Sequence, residues 1–233
     1  TSAQAADKLR IGTEGAYPPF NLVDASGELQ GFDVDIAKAL CVEMKVDCTF
    51  VKQDWDGMIP ALKKRKYDAI IASMSITEER KKAVDFTERY YTKKLQFVGK
   101  KGGELDVSVD GLKDKTIGAQ RATIAGDWLE NNRDGANIKL YDTQENAYLD
   151  LSAGRLDGIL ADIFVNAAWL DSDAGKDFEF KGDPVFEDDL IGIAVRKGNP
   201  ELVENLNKAI KAIVANGTYK SISSKYFGDA DIY

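Results

Sequence analysis

The stretch "SMSITEERKK", residues 73–82, sets Ser73, Ser75 and Thr77 alternately with Met74 and Ile76 directly after the apolar run "DAIIA". Arg80 follows within the first turn of a candidate helix. Exposed amides at a helix start favour negative charge, and a guanidinium offers two parallel donors that match the oxygens of a carboxylate. A flat anion is the expected guest. Phosphate is a poorer one, because no GxxxxGK[ST] loop occurs in the chain. The competing account makes Ser75 or Thr77 a helix N-cap, with Ser75 and Glu78 as a capping box, and leaves Arg80 among solvated charges.

Asp162 is the complementary candidate. It ends "LDGILAD", where an apolar run gives way to "IFVNAAWL", and a carboxylate at such a boundary can receive an ammonium or cap the next helix. Arg80 and Asp162 together would recognise the two poles of an α-amino acid. A third group lies in "GTEGAYPPFN" and "QDWDGM". Tyr17 and Trp55 offer aromatic faces, which attract a cation by roughly 0.5 to 2 kcal/mol. Glu14, helped by Asp33 of "GFDVD", would pair with that cation. Singly, the two aromatics are equally core or cleft-edge packing and Glu14 an exposed loop acid. Together they describe a pocket for a long basic side chain. "LKKRK", residues 62–66, reads as a solvated helix end whose cations oppose the negative pole of the dipole, with a docking role as the weaker account.

Such side chains need a scaffold, and 233 residues suffice for one large domain or two lobes of about 100 residues each. Histidine is absent, which removes Ser-His-Asp and Cys-His catalysis, His-ligated zinc and an imidazole proton shuttle. No metal and no cofactor are expected. Lys+Arg 31 against Asp+Glu 39 gives a net charge of −8, which opposes phosphate backbones and anionic lipid, so nucleic acid and membrane surfaces are not expected partners. The apolar runs fall far short of the roughly 20 residues that span a bilayer. In "CVEMKVDC", Cys41 nears the end of a helical pattern and Cys48 starts the strand-like run "CTFV". They are placed for a disulfide worth roughly 2 kcal/mol in an oxidising compartment. Two reduced, buried thiols are the alternative. "TSAQAADK" has no basic-then-apolar leader, so an exported form would already have lost its signal peptide.

Strand-like and helix-like segments alternate, the pattern of an α/β fold. "KLRIGT" reads as a strand and "DVDIAKALCVEM" as a helix with Ile36, Leu40 and Met44 on one face. "TFVKQ" is a second strand, "WDGMIPALKKRK" a short helix tolerating Pro60 in its first turn, and "YDAIIA" a buried strand. After "VDFTERYYTKKLQFVGKK" the βαβαβ order repeats through "KTIGAQ", "TIAGDWLENN", "NIKLYD", "TQENAYLDLSAG" and "LDGILA". "NPELVENLNKAIKAIVANG" is a closing helix with an Asn199 cap, Pro200 at its first position and Gly217 at its end. An internal echo aligns "LKKRKYDAIIAS" with "LSAGRLDGILAD", matching Leu62 to Leu151, Lys66 to Arg155, Asp68 to Asp157 and Ala72 to Ala161. Two lobes of similar design would explain it, as would chance likeness between generic αβ units. The matched strands end in Ser73 and Asp162, and open α/β sheets bind ligands beyond the carboxyl ends of their strands. These two residues are candidates for opposite walls of one cleft.

"LRIGTEGAYPPFN", "GELQGFDVDIAKALC", "WDGMIPALKKRKYDAIIASMSITEERKKAVDFT", "LSAGRLDGILAD" and "NGTYKSISSKYF" together resemble the periplasmic binding proteins for lysine, arginine, ornithine and histidine, with opine binders as relatives. The likeness covers nearly the whole chain. It implies an α/β, two-lobed type II periplasmic binding fold, a periplasmic monomer that delivers a small amino acid ligand to an inner-membrane ABC permease. One lobe would comprise residues 1–92 and 190–233 and the other 93–189, with crossing hinge segments near 90–94 and 187–191. By matching motifs, Arg80 would hold the ligand carboxylate with Ser75 and Thr123, and Asp162 the α-ammonium with Ser73. Tyr17 and Trp55 would flank the side chain, Glu14 would meet its cationic end, and Ala72, Met74 and Gln120 would line the site. The Cys41 and Cys48 pair looks like the disulfide of this family.

The chain also departs from the family pattern. Glu14 stands where relatives often carry Asp, Ala72 where Ser is frequent, and "AQRATIA", with Gln120, Arg121, Ile124 and Ala125, where polar, glycine-containing loops are usual. The expected ligand is L-arginine, then lysine, ornithine or histidine. Octopine-like ligands stand behind, because a substituted α-nitrogen fits awkwardly against Asp162. A dehydratase acting on small carboxylic acids with the same fold is the enzymatic alternative, with Glu14 or Asp162 as its acid. No enzyme is expected, because both acids already have an electrostatic role.

Overall fold

The computed structural model describes residues 7–233, so most of the leader-free start read from residues 1–8 lies outside the described residues. In chain order the elements are β1 (Lys8–Thr13), β2 (Ala16–Tyr17), β3 (Asn21–Val23), β4 (Leu29–Gln30), α1 (Phe32–Met44), β5 (Asp47–Lys52), α2 (Met58–Lys63), β6 (Ala69–Ile70), α3 (Glu78–Lys81) and β7 (Val84–Phe86). There follow β8 (Tyr91–Lys100), β9 (Thr116–Gln120), α4 (Ile124–Asn132), β10 (Asn137–Tyr141), α5 (Gln144–Ser152), β11 (Gly158–Asp162), α6 (Ile163–Leu170), β12 (Phe178–Ile191), β13 (Ala194–Arg196), α7 (Pro200–Ala215) and α8 (Thr218–Phe227). They form two compact units. One holds residues 7–15, Pro19–Thr92 and Leu190–Tyr233, and the other Ala16–Pro18 and Lys93–Asp189.

In the first unit the sheet order is β5-β1-β6-β13-β7. β1 runs parallel to β5 in register from Lys8 opposite Asp47 to Thr13 opposite Lys52, and parallel to β6 on its other side. β13 is antiparallel to both β6 and β7. Gly12 lies where β1 passes Tyr67: a Cβ there would meet the ring at 2.6 Å, so the close approach requires glycine. The repeating apolar residues of α1, among them Ile36, Ala37, Leu40 and Cys41, are buried, as helical spacing predicts. Cys41 is disulfide-bonded to Cys48 of β5 with Cα atoms 6.0 Å apart, so the bonded pair, not two thiols, ties α1 to the strand it precedes. α7 has Asn199 as its N-cap, accepting from the Leu202 amide at 3.3 Å, and Pro200 as its first residue. Gly217, at φ 86°, follows its C-cap and leads into α8, a helix the sequence pattern did not separate.

Two expectations need correction here. Only Ala69–Ile70 of "YDAIIA" forms a regular strand. Ile71 and Ala72 stay buried, and Ser73 adopts φ 58°, a left-handed conformation that turns a non-glycine residue out of the extended strand. The helix expected from "TEERKK" is the single turn α3. Its N-cap is Thr77, whose hydroxyl accepts from the Arg80 amide at 3.1 Å, so the third helical residue is Arg80 and no Ser75 to Glu78 capping box forms.

In the second unit the order is β10-β9-β11-β8-β12. β9 lies between its parallel partners β10 and β11, and β8 is antiparallel to β11 with Phe97 opposite Leu160. Phe97, Leu112, Ile117, Leu129 and Leu160 form its core. In each sheet the first crossover runs from β1 or β9 to a neighbour on one side, and the second returns from that neighbour over the same strand to a partner on its other side. In both units the carboxyl ends of the strands around that strand are where the rule for open α/β sheets puts a ligand. No helix among the described residues is long and apolar enough to cross a membrane.

Candidate functional site

In the first unit the strand ends deliver Glu14 after β1, Trp55 after β5 and the segment 72–75 after β6. Asp33, at the start of α1, is fully buried and organises that segment. Its Oδ2 accepts from Ser73 Oγ at 2.8 Å and Asn21 Nδ2 at 3.0 Å, and its Oδ1 accepts from Tyr90 Oη at 2.7 Å. Tyr90 Oη in turn accepts from the Ser73 amide at 3.1 Å. Burial, and then the neighbouring Asp33 carboxylate, hold the Tyr90 phenol well above its ordinary pKa, so it remains a neutral donor. The left-handed turn at Ser73 is thus held from both its amide and its hydroxyl, and backbone strain of this kind persists where surroundings over-determine it. Asp33 was expected beside Glu14 at a cationic head group. Its bonds serve its own chain.

Arg80 is half-buried. Its Nη1 donates to the Ser75 carbonyl at 2.8 Å, and its guanidinium carbon lies 5.5 Å from the Trp55 ring centroid. A planar cation anchored at one nitrogen and along one face is pre-oriented, which lowers the entropy lost on gripping a carboxylate. A one-turn helix adds little dipole, so the anion chemistry rests on this side chain more than on the helix start. Trp55 is 8% exposed and packs in one apolar cluster with Ala72 and Met74. Ala72 and Met74, expected to line the site, put their side chains into that core. What they can offer a ligand is main chain. Glu14 is 3% exposed, so it is a buried and not an exposed loop acid, while Lys63, Lys64, Arg65 and Lys66 are all exposed, as read from "LKKRK".

In the second unit Asp162 ends β11 and begins α6. Of its two sequence readings, the helix cap is formed. Oδ1 caps the helix, accepting from the amides of Phe164 at 2.6 Å and Val165 at 3.3 Å. Oδ2 is buried and has no hydrogen-bond partner among the described residues. Lys93 Nζ stands 3.6 Å from that oxygen and 3.7 Å from Asp189 Oδ2, with all three side chains buried. Burial pushes the Asp162 carboxyl above its ordinary pKa, Lys93 and the two amides pull it down, and Asp189 pushes it up; the net direction is upward. Tyr17 is also in this unit, and its ring centroid lies 5.8 Å from Lys93 Nζ, so its face already meets a cation of the chain itself. Gln120, at the end of β9, is buried and donates Nε2 to the Asp142 carbonyl at 3.2 Å. Thr123 donates its single hydroxyl proton to the Gln120 carbonyl at 2.8 Å, so that hydroxyl is committed as a donor within the loop.

Lys93 and Asp189 escaped the sequence reading. A signal existed: in β8 the residues on the parity of Tyr91, Lys93, Leu95 and Phe97 are buried, and a lysine on the buried face of a strand calls for a countercharge. A cavity of about 620 Å³ lined by residues such as Leu9, Met44, Arg196 and Lys208 holds none of the candidate residues. Among the described residues no three His, Cys, Asp or Glu side chains are grouped to hold a metal ion.

Two α/β units, each presenting charged side chains at the carboxyl ends of its strands, define the type II periplasmic binding fold. An ancestral arginine-binding protein bound to arginine has that fold with a TM-score of 0.90, is 38% identical, and is matched over 97% of this chain and 100% of its own. The chain belongs to the bacterial extracellular solute-binding proteins, family 3, whose profile spans residues 9–229. The L-arginine-binding protein of Pseudomonas aeruginosa is 48% identical over 98% of this chain and 91% of its own length. The histidine-binding periplasmic protein of Salmonella typhimurium is 39% identical over 100% and 93%. These relatives are described as binding proteins, and the family is an extracellular one, a setting in which the Cys41–Cys48 disulfide persists.

Proposed function

We propose that this protein is a periplasmic binding protein that captures a cationic L-amino acid, arginine ahead of lysine, ornithine and histidine, and delivers it as a monomer to an inner-membrane ABC importer. The observation that carries the reading is Asp162 Oδ2, a buried carboxylate oxygen without a hydrogen bond among the described residues, for which a ligand ammonium is the fitting donor. Arg80, with the hydroxyl of Ser75, takes the carboxylate, and the backbone at Thr123 and Gln120 assists. Trp55 and Tyr17 flank the side chain and Glu14 meets its guanidinium. Asp33 acts as a positioning residue through Ser73. One guest whose poles belong to different units gives those units, residues 1–92 with 190–233 and residues 93–189, a reason to close on it by bending near 90–94 and 187–191. The 48% identity to an L-arginine-binding protein supports arginine as first choice.

Isothermal titration with arginine, lysine, ornithine, histidine and glutamine tests the reading. Arginine is expected to bind most tightly, and Arg80→Ala to weaken it by about 3 kcal/mol, because truncation leaves a desolvated carboxylate unpaired. Unchanged affinity in that variant, or tightest binding of glutamine, would overturn the assignment.

A further inference from the structure

The geometry points to Lys93 as a specificity-determining residue, a resident cation that shares Asp162 with the ligand ammonium and sets how much that ammonium contributes to binding. The inference rests on the assignment of Asp162 to the ammonium made above. Lys93 Nζ lies 3.6 Å from Asp162 Oδ2 and 3.7 Å from Asp189 Oδ2. Both distances exceed the usual range of a charged N–H···O bond, about 2.7 to 2.9 Å. Lys93 therefore compensates both carboxylates without satisfying either through a short bond. Its side chain is 6% exposed, and those of Asp162 and Asp189 are 0% and 3% exposed, so water shields the three charges poorly.

One ammonium thus stands between two carboxylates and is shared by them. When a ligand ammonium arrives at Oδ2, Lys93 has a second seat at Asp189, on β12, the strand that neighbours its own β8. When the guest has no ammonium, Lys93 still compensates Asp162. The lysine thereby softens the penalty for ligands that lack the α-amino group, and Asp189 makes the exchange possible. The two substitutions that disturb this arrangement should act in opposite directions. Removing Lys93 makes the surroundings of Asp162 more negative, so the ligand ammonium is demanded more strongly; removing Asp189 makes them less negative and frees Lys93 for Asp162, so it is demanded less.

The test compares L-arginine with 5-guanidinopentanoate, which is arginine without its α-amino group, by calorimetry on the full chain. The readout is the ratio of the two dissociation constants. Lys93→Met should widen the ratio by about tenfold or more and Asp189→Asn should narrow it by about tenfold, the size of coupling expected between charges that share a buried partner. Lys93→Arg, which keeps the cation, should hold the ratio within about threefold of the wild type. A ratio unmoved by Lys93→Met, or widened by Asp189→Asn, would overturn the role of Lys93. If Lys93→Met does not fold, Asp189→Asn decides alone: narrowing supports the inference, and an unchanged or wider ratio rejects it. Wild-type protein that gives no heat with arginine would instead remove the ligand assignment itself, and this inference with it.

Discussion

Asp33 and Asp162 are both buried aspartates at the start of a helix beside a strand end, one in each unit, and they are satisfied in opposite ways. Asp33 accepts bonds from Asn21, Ser73 and Tyr90 on its two oxygens. Asp162 spends one oxygen on two helix amides and leaves the other, among the described residues, without a hydrogen bond beside Lys93. A buried charge whose donors all come from its own chain builds the fold, while one with an unmet oxygen is costly to the fold and useful to a guest. Burial alone would not have separated them. The donor inventory does.

The largest effect should come from Asp33→Ala. It strands three buried donors and is expected to cost about 4 kcal/mol of stability, measurable as a drop in the urea midpoint of the ligand-free protein. A change under about 1 kcal/mol would mean that Asp33 is not the organiser of the Ser73 turn. Asp162→Asn should leave the protein folded but cost about 3 kcal/mol of arginine affinity, the loss expected when a desolvated ion pair is truncated. Retained affinity would break the contrast from the other side. Cys41→Ser probes the scaffold that carries Asp33, since the disulfide ties α1 to β5; about 2 kcal/mol of stability should go, with arginine affinity preserved at a temperature where the variant is folded.

The smallest expected effect is a gain. The folded pKa of Asp162 lies above its ordinary value of 3.8, so this group favours the fold when protonated and weakens it as pH rises through the folded pKa. Ligand-free Asp162→Asn should therefore be slightly more stable than the wild type at pH 7, the direction set by the raised pKa. The gain should fade as pH drops below the ordinary aspartate pKa, where the wild-type side chain is neutral as well. Thermal melts of both proteins across that pH range would show it, and a variant less stable than wild type at pH 7 would contradict the idea of an unmet carboxylate.

Much of the scaffold was legible. The alternation of strand and helix patterns, the caps and proline of α7, and the joining of Cys41 to Cys48 all depend on local spacing, which the sequence displays directly. The short elements were read less well. β6 was expected to be longer because burial persists through Ile71 and Ala72 after regular pairing stops, and α3 because charged residues continue a helical composition after the turn ends. At the candidate site, residue types and strand ends singled out Ser73, Arg80 and Asp162. Their partners were harder: Tyr90 reaches Asp33 across 57 residues of sequence, and Asp189 reaches Lys93 only through the neighbouring of β8 and β12.

The sequence by itself determined which chemistry was available: no imidazole, no phosphate loop, an arginine beside hydroxyls, and an aspartate at the end of an apolar strand. It also determined the βαβαβ order at the heart of each unit, because hydrophobic period and capping are properties of neighbouring residues. The tertiary structure alone decided which of two buried aspartates is complete and which retains an unmet oxygen. Satisfaction of a buried charge depends on donors that the chain brings together from distant positions, and no local pattern records that.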